Sequence, residues 1–255
     1  MTLEHKCLLA EYCSKAGNPT FCNPLCFPFT RMHGVNGDGG LLAVANIPNK
    51  YKNATIQNLP FEESNPKAFL ITQKYGAKVV EKVDEGVGLY FFGVPTKENS
   101  KGTGTGKTTA AIALVIEYLR QRSILEAKQE RSINNEPAFF MKMAKFQNVY
   151  SSQFSGSTET KEANGDKYQA LKRKMKNVDL LVLDDIGLRG MTEAFTTEVY
   201  EIIDERETEE RATIFTSNTP DDRIHEYVGE QVASRIEGMT HAIPFKGKDN
   251  RKKSL

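Results

Sequence analysis

The sequence predicts an α/β fold: a parallel β-sheet with helices on both faces, preceded by a small cysteine-rich module. Three observations lead there. Short, continuous apolar runs alternate with stretches of helical periodicity, the pattern of strands buried on both faces. A Gly/Thr-rich run, "GTGTGKTT", stands between one such strand and one such helix. All four cysteines fall within the first 26 residues.

Residues 1–45 crowd turn-formers together and show no sustained period of 3.6 or 2.0. A segment this short needs a staple to order itself. Residues 46–64 read as a linker and entry to the main domain, which fills 65–255. A helix is expected over 65–83, with Asn65 as N-cap and Pro66 at its first position. "GLYFF" (88–92) reads as a buried strand and 107–130 as a long helix with Ile112, Val115, Ile116 and Leu119 on one stripe. "AFFMKMAKF" (138–146) is expected as a second strand, 151–166 as a mobile loop and 167–176 as a basic helix. "VDLLVLDD" (178–185) is a strand ending in two acids, 192–210 a helix and "ATIFTSN" (212–218) another strand. Helices near 221–227 and 229–237 and a last strand at "HAIPF" complete the chain.

Bulk properties exclude more than they assign. The 255 residues carry 34 basic and 33 acidic side chains, so no whole-molecule field favours nucleic acid. No apolar run reaches the roughly 18–20 residues that span a bilayer. The N-terminus lacks the apolar stretch of a secretory signal, so the expected location is the cytoplasm, where thiols stay reduced.

The glycine run is the most informative stretch. A phosphate-binding loop reads G-x-x-x-x-G-K-[ST], with backbone N–H groups converging on phosphates at a helix N-terminus. Gly104, Thr105, Gly106, Lys107, Thr108 and Thr109 match its later part, but Lys101 stands where the first Gly belongs. Either Lys101 replaces that Gly, or Gly93 at the strand exit is the first Gly and about eight extra residues intervene; the second reading is preferred. Lys107 would reach the β- and γ-phosphates of ATP, and Thr108 would ligate Mg²⁺. Asp184, at a strand end, would hold Mg²⁺ as in a Walker B strand, and Asp185 would orient or deprotonate the attacking water. Asn218 can touch the γ-phosphate, while Arg235 is either a plain surface cation or an arginine finger for a neighbouring subunit.

Cys7, Cys13, Cys22 and Cys26 supply four thiolates, a set suited to tetrahedral Zn²⁺. His33 and His5 are spare candidates; disulfides and free thiols are the alternatives. Lys142 and Lys145 flank Phe139, Phe140 and Phe146, and "KRKMK" (172–176) is a second basic group. Single-strand binding combines cations with stacking aromatics. Buried rings with solvated lysines at the strand ends are the preferred reading of these particular residues.

GTGTGKTT, LLVLDDIG, TSN and GEQVASRIEG, in that order, resemble the AAA+ replicative helicase loaders of the DnaC/DnaI type. "IPNKYKNATIQNLP" is similar to the segment leading into their ATPase domain, and a cysteine-rich module resembles the DnaI side, where phage-encoded relatives are common. The resemblance covers 46–251. It implies a slow, Mg²⁺-dependent ATPase that switches by binding and hydrolysis, an ATP-dependent homo-oligomer, a hexameric replicative helicase as partner for the cysteine module, and contact with single-stranded DNA. It also implies Asn218 as sensor 1, Arg235 as the finger and Arg251 as the sensor 2 arginine. Two departures stand out: the insertion after Gly93, and Asp185 where many AAA+ proteins carry Glu. The alternatives are an IstB-type transposition helper ATPase and a non-hydrolysing, ATP-sensing adaptor.

Overall fold

The structure, a computed structural model, describes residues 3–188 and 190–250. Its strands are β1 (Gly88–Gly93), β2 (Ala138–Lys142), β3 (Leu180–Asp184), β4 (Thr213–Ser217) and β5 (Thr240–Phe245). They form one sheet in the order β2-β3-β4-β1-β5, every neighbouring pair parallel. The helices are α1 (Phe27–His33), α2 (Gly40–Val44), α3 (Pro66–Ala77), α4 (Val79–Asp84), α5 (Lys107–Ala127), α6 (Met143–Ser152), α7 (Thr158–Asn177), α8 (Glu193–Thr208), α9 (His225–Val228) and α10 (Glu230–Met239).

Alternate residues of each strand feed opposite cores. Leu89 and Phe91 join the core containing α5, whereas Tyr90 and Phe92 join the core containing Phe146, Tyr168, Val199 and Ile236. That is why "GLYFF" and "LLVLD" carry no polar alternation: both faces are covered. The α5 side includes Leu9, Met32, Leu41, Leu42 and Ala45, so residues of the first 45 share a core with the sheet. The same segment covers the free edge of β2. Phe140 N–H donates to Ala45 O at 2.9 Å and Asn46 Nδ2 donates to Phe140 O at 2.8 Å, satisfying groups an edge strand leaves open.

Three expected elements differ. The strand expected over 138–146 ends at Lys142; Met143 and Phe146, three apart, are the buried face of α6 instead. The segment 151–166 is not one loop, because α7 starts at Thr158, where the Ser157 hydroxyl accepts the N–H of Thr160. Only Tyr168, Lys172 and Met175 of α7 are buried, which hid its period. Ion pairs hold it to α8, Lys172 with Glu198 and Glu201 and Lys176 with Glu205 at 2.7 Å. The helix expected over 65–83 is two helices, α3 and α4, divided at Lys78.

Candidate nucleotide site

β1 ends at Gly93, and the chain then makes an excursion before the phosphate loop. Thr96 and Asn99 exchange backbone hydrogen bonds at 3.0 and 3.2 Å. The buried Asn99 amide donates to Thr103 O at 2.7 Å and Gly247 O at 3.0 Å. The excursion thus closes on itself: a Cβ on Gly93 would lie 2.4 Å from Gly102 O, so only glycine permits the return. Lys101 is on the exposed part of this excursion. The loop proper resumes at Thr103 and Gly104.

α5 starts at Lys107 behind Gly106, whose φ of 106° is open to glycine and strained for other residues. The Phe61 ring packs against Gly106 and meets Phe245 at 5.0 Å between centroids. Lys107 is buried, and its Nζ donates to Gly102 O at 2.7 Å and lies 3.4 Å from Thr105 Oγ1. The Asp249 side chain lies over Gly104, where a Cβ would come within 1.7 Å of its Oδ1, and Asn250 N–H donates to Gly104 O at 3.1 Å.

The parallel register brings the ends of β3 and β4 beside the loop. Asp184 is fully buried. Its Oδ1 accepts from Thr108 Oγ1 at 2.7 Å and from Thr216 Oγ1 at 2.8 Å. Its Oδ2 is buried and accepts no hydrogen bond, with Lys142 Nζ the facing charge at 3.9 Å. Burial pushes the Asp184 carboxyl above its ordinary value, and the neighbouring Asp185 adds to the rise. The hydroxyls and Lys142 oppose it. A threonine hydroxyl beside a carboxylate with an unused oxygen is a donor set that fits Mg²⁺, a hard cation that takes oxygen ligands.

Asp185 has φ of 60°, in the left-handed region where Asp is tolerated better than most residues. Its N–H donates to Thr216 Oγ1 at 3.0 Å, and Ser217 Oγ donates to Ile186 O at 2.7 Å, so the two strand ends are tied together.

One cleft of about 180 Å³ gathers Gly104 to Thr109 with Asp185 and Asn218. Lys50, Tyr51, Pro60 and Asn250 complete its wall. Sequence reasoning missed these four. An aromatic and a proline in the polar stretch 46–64 were the only signal for the first three. Arg235 does not line the cleft. It lies on α10, its guanidinium paired with Glu207, 2.5 Å from Asp204 and 3.0 Å from the Tyr200 hydroxyl, all on α8. These partners push its pKa still higher. Arg251 lies outside the described residues.

The four cysteines are free thiols that line one cavity of about 480 Å³, together with Ser123, Ile124 and Ala127 of α5. Burial pushes the Cys7 thiol up; the Leu9 backbone opposes this, and the nearby Cys26, Cys22 and Cys13 add to it. Among the described residues no three His, Cys, Asp or Glu side chains converge as ion ligands. The His33 ring is buried and its Nε2 accepts the Leu8 N–H at 3.1 Å, which occupies one of its two ring nitrogens. Phe139, Phe140 and Phe146 are buried, so none offers a stacking face for a base. No helix among the described residues is long and apolar enough to cross a membrane.

Comparisons with known proteins fall on this frame. A family described as IstB-like ATP binding protein matches residues 144–254, less than half of the chain, the part with β3, β4 and β5 but not the phosphate loop. A putative insertion sequence ATP-binding protein of Sinorhizobium fredii is 33% identical over 96 residues, 35% of this chain and 39% of that protein. A replicative helicase loader DnaC of Buchnera aphidicola is 24% identical over 196 residues, 77% of this chain and 68% of that protein. The solved structure of a DnaC helicase loader superposes with a TM-score of 0.56 at 22% identity, covering 78% of this chain and all of that one, which shows a shared fold. Motif order, the DnaC sequence matches and the fold agree: the chain resembles the DnaC/DnaI-type AAA+ helicase loaders, with an IstB-like match over its later part.

Proposed function

We propose that the protein is an ATP-dependent loader that places a hexameric replicative DNA helicase on single-stranded DNA. The observation that carries this reading is the extent of the DnaC match, 77% of the chain against 35% for the insertion-sequence relative, with a phosphate-loop cleft whose Thr108 hydroxyl donates to Asp184. The loop N–H groups and Lys107 bind the phosphates, which requires Lys107 Nζ to exchange Gly102 O for phosphate oxygen. Thr108 and Asp184 hold Mg²⁺, which when bound offsets charge on the triphosphate. Asp185 orients the attacking water and Asn218 the γ-phosphate. Arg235 acts across a subunit boundary once it leaves Asp204 and Glu207, so that ATP favours a homo-oligomer. Slow hydrolysis then ends the cycle in the cytoplasm. Cys7, Cys13, Cys22 and Cys26 are the residues that would hold Zn²⁺, which would order the segment whose face docks on the helicase.

Co-purification and sizing of the full chain with its cognate helicase, in ATP and in ADP, tests this. A complex that depends on nucleotide and is lost in Lys107→Ala is expected. No complex in either nucleotide would overturn the loader reading. It would favour the transposition helper, the second reading, for which the IstB-like match over 144–254 speaks.

A further inference from the structure

Lys142 puts a cation where the phosphate-loop pattern asks for none. It is the last residue of β2 and lies in register with Asp184 across the parallel pair. Its ammonium is 3.9 Å from Asp184 Oδ2, while that oxygen accepts no hydrogen bond and is shut off from water. The other oxygen already accepts from Thr108 and Thr216. The ammonium is therefore the charge that faces the buried side of the carboxylate. The lysine side chain is 50% exposed, so its head reaches inward from solvent on a flexible stem and can withdraw. Asp185 follows at once in the chain and lines the nucleotide cleft together with Thr108, whose hydroxyl donates to the buried Asp184. A triphosphate arriving without a divalent ion meets the Asp185 carboxylate and, behind the Thr108 hydroxyl, the buried Asp184 carboxylate, and like charges at short range in a partly buried site repel strongly.

We infer that Lys142 is a built-in counter-charge for Asp184 that offsets the carboxylate while no metal is bound and yields to Mg²⁺ when nucleotide enters. The inference rests on the nucleotide reading of the cleft. Lys142 is a positioning residue in this role: it sets how much the site depends on the divalent ion. Two consequences oppose each other. Nucleotide binding without Mg²⁺ is supported, and Mg²⁺ binding is weakened because it displaces a cation.

The test is the affinity of the full-length protein for a fluorescent ATP analogue, measured in EDTA and across a Mg²⁺ titration. Wild type, K142M, K142Q and K142R are compared, with circular dichroism confirming the fold of each. In K142M and K142Q the ratio of the dissociation constant in EDTA to that in saturating Mg²⁺ rises at least tenfold over wild type. The Mg²⁺ concentration for half the effect falls at least threefold, and K142R restores the wild-type ratio. An unchanged ratio overturns the inference. So does an equal loss of affinity with and without Mg²⁺, which would make Lys142 an ordinary phosphate ligand. Wild-type protein that binds no nucleotide in either condition overturns the nucleotide reading itself.

Discussion

The two ends of α5 hold two differently built regions. At its first turn, Lys107 and Thr108 meet strand ends and loop carbonyls through hydrogen bonds of defined geometry. About 30 Å away by helix rise, its last turns meet the cysteine cavity through apolar contacts and thiols. The first region is specified by backbone: glycines that let loops approach, and hydroxyls that bind strand ends together. The second is specified by side-chain packing, with Met32 and Leu9 seated in the core while Leu25, Phe27 and Val35 stay exposed.

Mutations can break this contrast. Met32 is fully buried between α1 and α5, with Ser123 Oγ 3.9 Å from its sulfur. Met32→Ala is expected to cost about 3 kcal/mol and lower the main unfolding transition. A main transition that does not move would mean that the first 45 residues unfold on their own. Lys107→Ala should weaken ATP about a hundredfold, roughly 2.8 kcal/mol, and abolish the nucleotide-induced rise in melting temperature. Affinity within threefold of wild type would remove Lys107 from the phosphate site. If the cavity holds Zn²⁺, metal analysis returns one ion per chain, and a chelator lowers the melting temperature by roughly 6 °C, about 2 kcal/mol. Chelation should leave the nucleotide affinity of the other end largely intact, and a parallel collapse would erase the distinction.

Smaller effects sharpen it. The Asp249 carboxylate lies over Gly104, where a phosphate would be repelled. Asp249→Ala should tighten ATP about threefold, about 0.7 kcal/mol, by titration in Mg²⁺. Weaker binding would show that Asp249 supports the loop. His33 is held down to about 4 by burial, with Lys52 adding. The unfolded chain takes this proton nearer 6.5, so the contribution of His33 is complete above that pH and is lost as pH falls toward 4. His33→Gln keeps an acceptor for Leu8 N–H and should flatten the melting temperature between pH 7 and 5 relative to wild type. An unchanged slope would show that other groups set it.

The sequence revealed most where one physical rule acts alone. "GLYFF", "LLVLD" and "TIFTS" become β1, β3 and β4 because strands buried on both faces have no polar phase. Gly104 to Thr109 fall at the start of a helix because the motif is itself a strand-to-helix turn. Legibility failed where long-range contacts decide. α7 is kept by ion pairs to residues 25 or more positions away, which no local period records. Lys50, Tyr51 and Pro60 reach the cleft from over 40 residues before the loop. Lys142 was visible as a lysine beside phenylalanines, yet its facing of Asp184 exists only through the pairing of β2 with β3.

The grip of Ala45 and Asn46 on Phe140 has a thermodynamic corollary. Lys142 is two residues further along the same strand. If β2 shifts as a unit when Lys142 gives way, nucleotide and any ligand of the N-terminal segment act on one shared displacement. Linkage then requires symmetry: the factor by which nucleotide changes the affinity of that ligand equals the factor by which the ligand changes the affinity of nucleotide. A single strand held at its middle would make the protein a two-way balance, able to report an occupied partner to the phosphate site as readily as the reverse.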